Sequence, residues 1–180
     1  MAFEAVKLGA DPFEMLTFRR ETAKYFVVNY GPPRFSELDS YAIMWNGHFV
    51  NYFENARQQL GKNTDLNSRL LEEYGFQIPI HSYQVKLRKP IEANDEMRVA
   101  VRPLHFKGGL LEFEHLMMVG TEIRATGTTT HAVIDMKTRS IAFPMPELVF
   151  QVVNRVFTPF QAAPAAAAMA NPATPPPPSV

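Results

Sequence analysis

The spacing of apolar positions changes character along the chain. Between Asn46 and Gly61, Phe49, Phe53, Ala56 and Leu60 recur at spacings of four, three and four. That period puts side chains on one face of a helix. Asn46 stands where an N-cap is expected and Gly61 where a helix stops. The segment predicts one long helix of about four turns. Ahead of it, KYFVVN at Lys24 to Asn29 predicts a short strand, interrupted by Gly31-Pro32-Pro33.

Beyond a loop and a weaker helical patch from Asp65 to Tyr74, the period falls to two. Phe76, Ile78 and Ile80 share one phase, and Tyr83, Val85 and Leu87 the other. A change of phase inside one run predicts a bulge near His81. DEMRVAVRPL alternates through Met97, Val99 and Val101, and LLEFEHLMMV through Leu111, Phe113, His115, Met117 and Val119. Gly108-Gly109 between them is a hairpin signal. IRATGTTTHAVIDM, rich in threonine and β-branched residues, predicts a fourth strand, and Pro144 to Phe157 a short terminal helix. A helix laid on an antiparallel sheet is an α+β architecture. Its free strand edges make a homodimer the natural completion, with a further step to a tetramer left open.

Composition narrows the function classes. The chain has 180 residues and a formal net charge of zero, which suits one domain and gives no broad electrostatic case for nucleic acid. The sequence contains no cysteine, so disulfides, thiolate metal sites and a cysteine nucleophile are excluded. The five histidines show no ligand spacing such as HExxH, and neither metal nor cofactor is expected. The start lacks a basic stretch followed by an apolar run, and no run approaches the ~18 apolar residues of a membrane span. A cytoplasmic location is the default expectation. Residues 1–23 read as an N-terminal extension and 24–160 as the folded domain. The Ala/Pro-rich residues 161–180 read as a disordered tail.

The residues RFSELDSYAIMWNGHFVNYFENAR resemble the signature of the 4-hydroxybenzoyl-CoA thioesterase family of acyl-CoA thioesterases. YQVKLRKPIEANDEMRV and IDMKTRSIAFPMPEL are similar to its later strands and closing segment, so the matches run from about Arg34 to Leu148. The chain departs from many bacterial members in carrying Asn46 where they have His, and Ser40-Tyr41-Ala42 where they have a small or Gly-rich turn. The resemblance implies the hotdog fold, an antiparallel sheet wrapped around one long central helix. It also implies hydrolysis of a fatty or aromatic acyl thioester of CoA or an acyl-carrier protein.

In that family the catalytic aspartate falls at Asp39, and the thioester oxygen at the backbone N–H of Asn46. Free N–H groups at a helix start, with the positive end of the helix dipole, form an oxyanion hole. Gly47 would let the acyl group approach closely. Asp39 could act as general base on water or as nucleophile. Glu54, seven residues after Gly47, is the rival carboxylate, though an ion pair with Arg57 also explains it. Trp45, His48 and Tyr52 are candidates to touch substrate. Arg88 and Lys89, with Lys86, Arg102 and Lys107, are candidates for the carrier's phosphates. Two other readings share the fold: a non-catalytic acyl-thioester-binding protein, and a hydratase or dehydratase using His48 with Glu54. No GxSxG, GxGxxG or GxxxxGK[ST] is present, so serine-hydrolase and nucleotide-binding readings have no footing.

Overall fold

The computed structural model describes residues 13–18 and 21–160. The tail 161–180 and most of the stretch read as an N-terminal extension lie outside the described residues. The strands are β1 (Phe13–Phe18), β2 (Glu21–Asn29), β3 (Phe76–Gln77), β4 (Ile80–Leu87), β5 (Met97–Lys107), β6 (Leu110–Val119), β7 (Glu122–Ala132), β8 (Ile134–Asp135) and β9 (Ser140–Ile141). The helices are α1 (Phe49–Lys62), α2 (Ser68–Glu73) and α3 (Glu147–Phe157). Six strands form one sheet in the order β1-β2-β5-β6-β7-β4, and β3-β8-β9 form a second, smaller one. Every pairing is antiparallel.

The core forms where two periodicities meet. Phe49, Phe53, Ala56 and Leu60 are all buried on α1. They join Met97, Val99 and Val101 of β5 and Leu111, Phe113 and Met117 of β6 in one cluster. Gly127 of β7 lets the helix approach the sheet, since a Cβ there would stand 2.5 Å from the Phe53 ring. A second helix shares this core. Val149, Val152, Val153, Val156 and Phe157 of α3 are buried in the same cluster. The sheet therefore packs against two substantial helices, where the sequence pattern predicts one long helix and a minor terminal one.

Local turn chemistry follows the sequence in several places. Gly108 and Gly109 have φ of 59° and 79°, the two positive values that a two-residue type I′ hairpin requires. The β4–β7 register shifts between Ile80 and Ser82, which makes His81 the bulged residue. Elsewhere the structure corrects the reading. FQIPI is not one strand: Pro79 has no N–H to give to a ladder, and the run divides into β3 and β4, which lie in different sheets. Asn46 is not an N-cap. It begins a 3-10 turn, Asn46–His48, that leads into α1, and no side chain caps either start. Gly61 does not stop the helix, which runs to Lys62. Glycine is needed there because a Cβ would meet the Leu66 carbonyl oxygen at 2.6 Å. Strand β1, paired along its length with β2, falls in the stretch read as an extension.

Candidate active site

The loop before α1 is a tight hairpin. Leu38 and Met44 bridge its base, the Asp39 N–H donates to the Ile43 carbonyl at 2.8 Å, and the Ala42 N–H donates to the Asp39 carbonyl at 3.0 Å. Ala42 takes φ +59°, the left-handed conformation that favours glycine. One oxygen of Asp39 belongs to this loop: Oδ1 accepts from the Tyr41 N–H at 2.8 Å and the Ile43 N–H at 3.4 Å. Oδ2 has no partner among the described residues, and Asp39 is half-buried.

The loop delivers the chain into Trp45-Asn46-Gly47-His48. The His48 N–H closes the 3-10 turn onto the Trp45 carbonyl at 3.0 Å. The Asn46 and Gly47 N–H groups have no partner among the described residues. Both residues line a cleft of about 300 Å³, with Trp45 and Val50 beside them and Tyr83, Val85 and Leu87 of β4 also in its wall. No charged side chain contributes to that lining. The space over Gly47 is taken by the indole of Trp45, since a Cβ at Gly47 would sit 2.0 Å from that ring. In this structure the glycine admits Trp45 to the position where the sequence reading places an acyl group.

The other candidates are placed as follows. His48 stands edge-on to Trp45 at 5.5 Å and its Nδ1 lies 3.4 Å from the Asn51 amide. Tyr52 is buried, with its hydroxyl donating to Glu37 Oε2 at 2.7 Å, away from the cleft. Arg88 and Lys89 directly follow the cleft residue Leu87. Both are exposed, and Lys89 is ion-paired with Glu122. Arg102 is held by Glu114 at 2.6 Å and lies over the Tyr25 ring. Lys86 lines a separate shallow cleft with Glu114 and Thr126.

Glu54 sits one helical turn beyond Val50, on the same side of α1. Its carboxylate meets Arg57 Nε at 3.2 Å and His131 Nε2 at 3.2 Å, and is 24% exposed. Burial pushes its pKa up, but the hydrogen bond from His131 and the charge of Arg57 outweigh that and hold it at about 2. His131 Nε2 also lies 3.1 Å from Thr129 Oγ1, which in turn lies 2.9 Å from His115 Nε2. His115 stacks on Phe53 with centroids 4.7 Å apart. Burial, chiefly, lowers its pKa to about 3, so it is neutral.

Two groups of polar residues were not singled out from the sequence. Glu37 has no role in the sequence reading, yet it is 4% exposed. His115 and His131 lie in phase with inward apolar residues of their strands, and that phase was the available signal.

The model of the thioesterase-like superfamily matches residues 33–178, most of the chain. The chain belongs to that superfamily. No curated protein matches it in sequence. Among solved structures it is similar to a Thermus thermophilus thioesterase complexed with coenzyme A and Zn, at 26% identity and a TM-score of 0.62, over 73% of this chain and 93% of that one. It is also similar to a DHNA-CoA thioesterase from Staphylococcus aureus, at 18% identity and a TM-score of 0.63, over 75% and 94%. A 1,4-dihydroxy-2-naphthoyl-CoA thioesterase from Synechocystis matches at 14% and a TM-score of 0.60, over 71% and 95%. The last two likenesses are of fold: the antiparallel sheet with its helices is the hotdog-like arrangement of thioesterases. Among the described residues, no helix is long and apolar enough to cross a membrane, and no group of His, Cys, Asp and Glu is arranged to hold a metal ion.

Proposed function

We propose that the protein hydrolyses a fatty or aromatic acyl thioester of CoA or an acyl-carrier protein at the start of α1, with α1 as the central helix of a hotdog fold. The observation that carries this reading is the uncapped turn: Asn46 and Gly47, whose N–H groups have no partner among the described residues, line a cleft with no charged side chain. A thioester carbonyl oxygen held there would gain hydrogen bonds as it becomes an oxyanion. Asp39, seven residues earlier, supplies the carboxylate through its unengaged Oδ2, taking a proton from the attacking water. The carbon–sulfur bond then breaks, the sulfur takes that proton back from Asp39 and leaves as the carrier's thiol, and the acyl group leaves as the free acid.

Asp39 is not among the residues lining the cleft of the single chain. The reading therefore includes a homodimer, in which a second copy closes the open side. Support comes from β4, which ends the sheet with Ile80, Tyr83 and Leu87 exposed. A free apolar strand edge is a surface that proteins cover. The phosphates of the carrier would lie towards Arg88 and Lys89, next to Leu87.

A second carboxylate has its own support: Glu54 is partly exposed, ionised, and one turn from Val50. Release of free thiol from a panel of acyl-CoAs decides between them. Asp39→Asn is expected to lower kcat by about 10² to 10⁴, and Glu54→Gln to leave most of the rate in the folded enzyme. The reverse pattern moves the chemistry to Glu54. Binding of acyl-CoA with no thiol release by the wild type would favour a non-catalytic acyl-binding protein. The hydratase reading has less behind it, since His48 and Glu54 each have other partners.

A further inference from the structure

Glu37 is a carboxylate buried inside the loop that carries Asp39. Burying such a group is costly unless its oxygens receive hydrogen bonds, and the bonds it receives come from three separate places. Its Oε2 accepts from the Arg34 N–H at 2.9 Å, at the start of the loop. The same oxygen accepts from the Tyr52 hydroxyl at 2.7 Å, near the start of α1. Its backbone carbonyl accepts from the Trp45 N–H at 2.8 Å, at the end of the loop. One residue therefore ties together both ends of the hairpin and the helix. Tyr52 is itself braced by the Tyr30 ring, edge-on at 5.0 Å, and the Tyr30 hydroxyl donates to Asn55 on the same helix.

We infer that Glu37, acting through the Tyr52 hydroxyl, is the positioning residue that sets Asp39 against the Asn46 and Gly47 N–H groups. Glu37 does not touch substrate. It fixes the two halves of the site, which lie on opposite sides of Trp45 in the chain. The inference rests on the hydrolase reading for its effect on rate. A displacement of about 1 Å between reacting groups costs up to about 10² in turnover.

The test exploits Trp45, the protein's one tryptophan, whose backbone N–H donates to the Glu37 carbonyl. Tyr52→Phe deletes one hydrogen bond and keeps the ring. It is expected to lower kcat by about tenfold to 10²-fold with KM little changed, and to increase acrylamide quenching of Trp45 emission. Glu37→Ala should do the same or more. Glu37→Gln should restore both readouts to within about threefold of wild type, because the Arg34 N–H and the Tyr52 hydroxyl converge on one oxygen and an amide carbonyl can accept from both. Should Glu37→Ala fail to fold, Tyr52→Phe with Glu37→Gln carries the comparison. Wild-type kcat and quenching in Tyr52→Phe would overturn the inference. So would a Glu37→Gln enzyme as impaired as Tyr52→Phe, because the charge itself would then be at work. If the wild type releases no thiol from any acyl-CoA or acyl-carrier protein, the hydrolase reading fails by itself. The quenching series then decides alone whether Glu37 holds the loop.

Discussion

Helix α1 meets the rest of the molecule through two polar regions that are built in opposite ways. At its middle, Glu54, Arg57, His131, Thr129 and His115 close on one another, and all but Glu54 are buried. Among the described residues, His115 Nδ1 is the one fully buried side-chain atom of this group without a partner. At its start, the Asn46 and Gly47 N–H groups are left open on an exposed turn beside an apolar cleft. Buried polar groups that satisfy each other hold a structure in one arrangement, whereas donors left open at a cleft wait for an acceptor from outside. The first region should therefore register in stability and the second in turnover.

The sharpest way to break that contrast is Arg57→Ala. It leaves the Glu54 carboxylate with His131 as its one remaining partner in a largely buried position. Removing one member of a buried ion pair costs on the order of 3 kcal/mol. Urea unfolding should show that loss, while kcat per folded molecule stays near wild type. A variant of full stability with collapsed turnover would mean that the middle of the helix does the chemistry.

A smaller effect, set by pH, should separate the same regions. The His115 pKa is held at about 3, against an ordinary 6.5, by burial first of all. The unfolded chain therefore binds a proton that the folded chain refuses, and stability falls as pH drops below about 6.5. Glu54, held at about 2 against 4.5 by His131 and Arg57 despite its burial, adds its own loss as pH drops below about 4.5. Both signs agree, so acid should destabilise the fold progressively between about pH 7 and about pH 4. Urea midpoints measured across that range in wild type and in His115→Gln test this. An equal slope in the two proteins would remove His115 from the account.

The same division marks what could be read from the sequence. The α1 stripe, the Gly108-Gly109 hairpin and the His81 bulge were legible because each is a local pattern with a local cause. The entry to α1 near Asn46 was legible from the start of the stripe, but the 3-10 turn Asn46–His48 that forms it was not. Less local features escaped. Strand β1 escaped because Arg19-Arg20, between its sequence and β2, carries no turn residue. The far wall of the cleft was seen only as a strand phase, since nothing in Tyr83, Val85 and Leu87 says which helix end they face. Glu37 meets Tyr52 across 15 residues, and His131 meets Glu54 from another element. A carboxylate beside an aspartate in a polar loop reads as surface until its distant partner is known.

The mildest test concerns the position where the open turn is most tightly built. A Cβ at Gly47 would meet three ring atoms of Trp45 at 2.0, 2.4 and 2.5 Å, so Gly47→Ala must displace the indole. Trp45 is 53% exposed and its ring is the far end of a side chain with room to turn, so stability should change by no more than about 0.5 kcal/mol. The displacement removes one aromatic wall of the cleft, and KM for an acyl-CoA should rise by about threefold to tenfold, with the Trp45 emission maximum shifted. The backbone N–H groups of Asn46 and Gly47 remain, so kcat should fall less than KM rises. If kcat falls about tenfold at constant KM instead, the indole acts on the reacting carbonyl and is more than a wall for the acyl group.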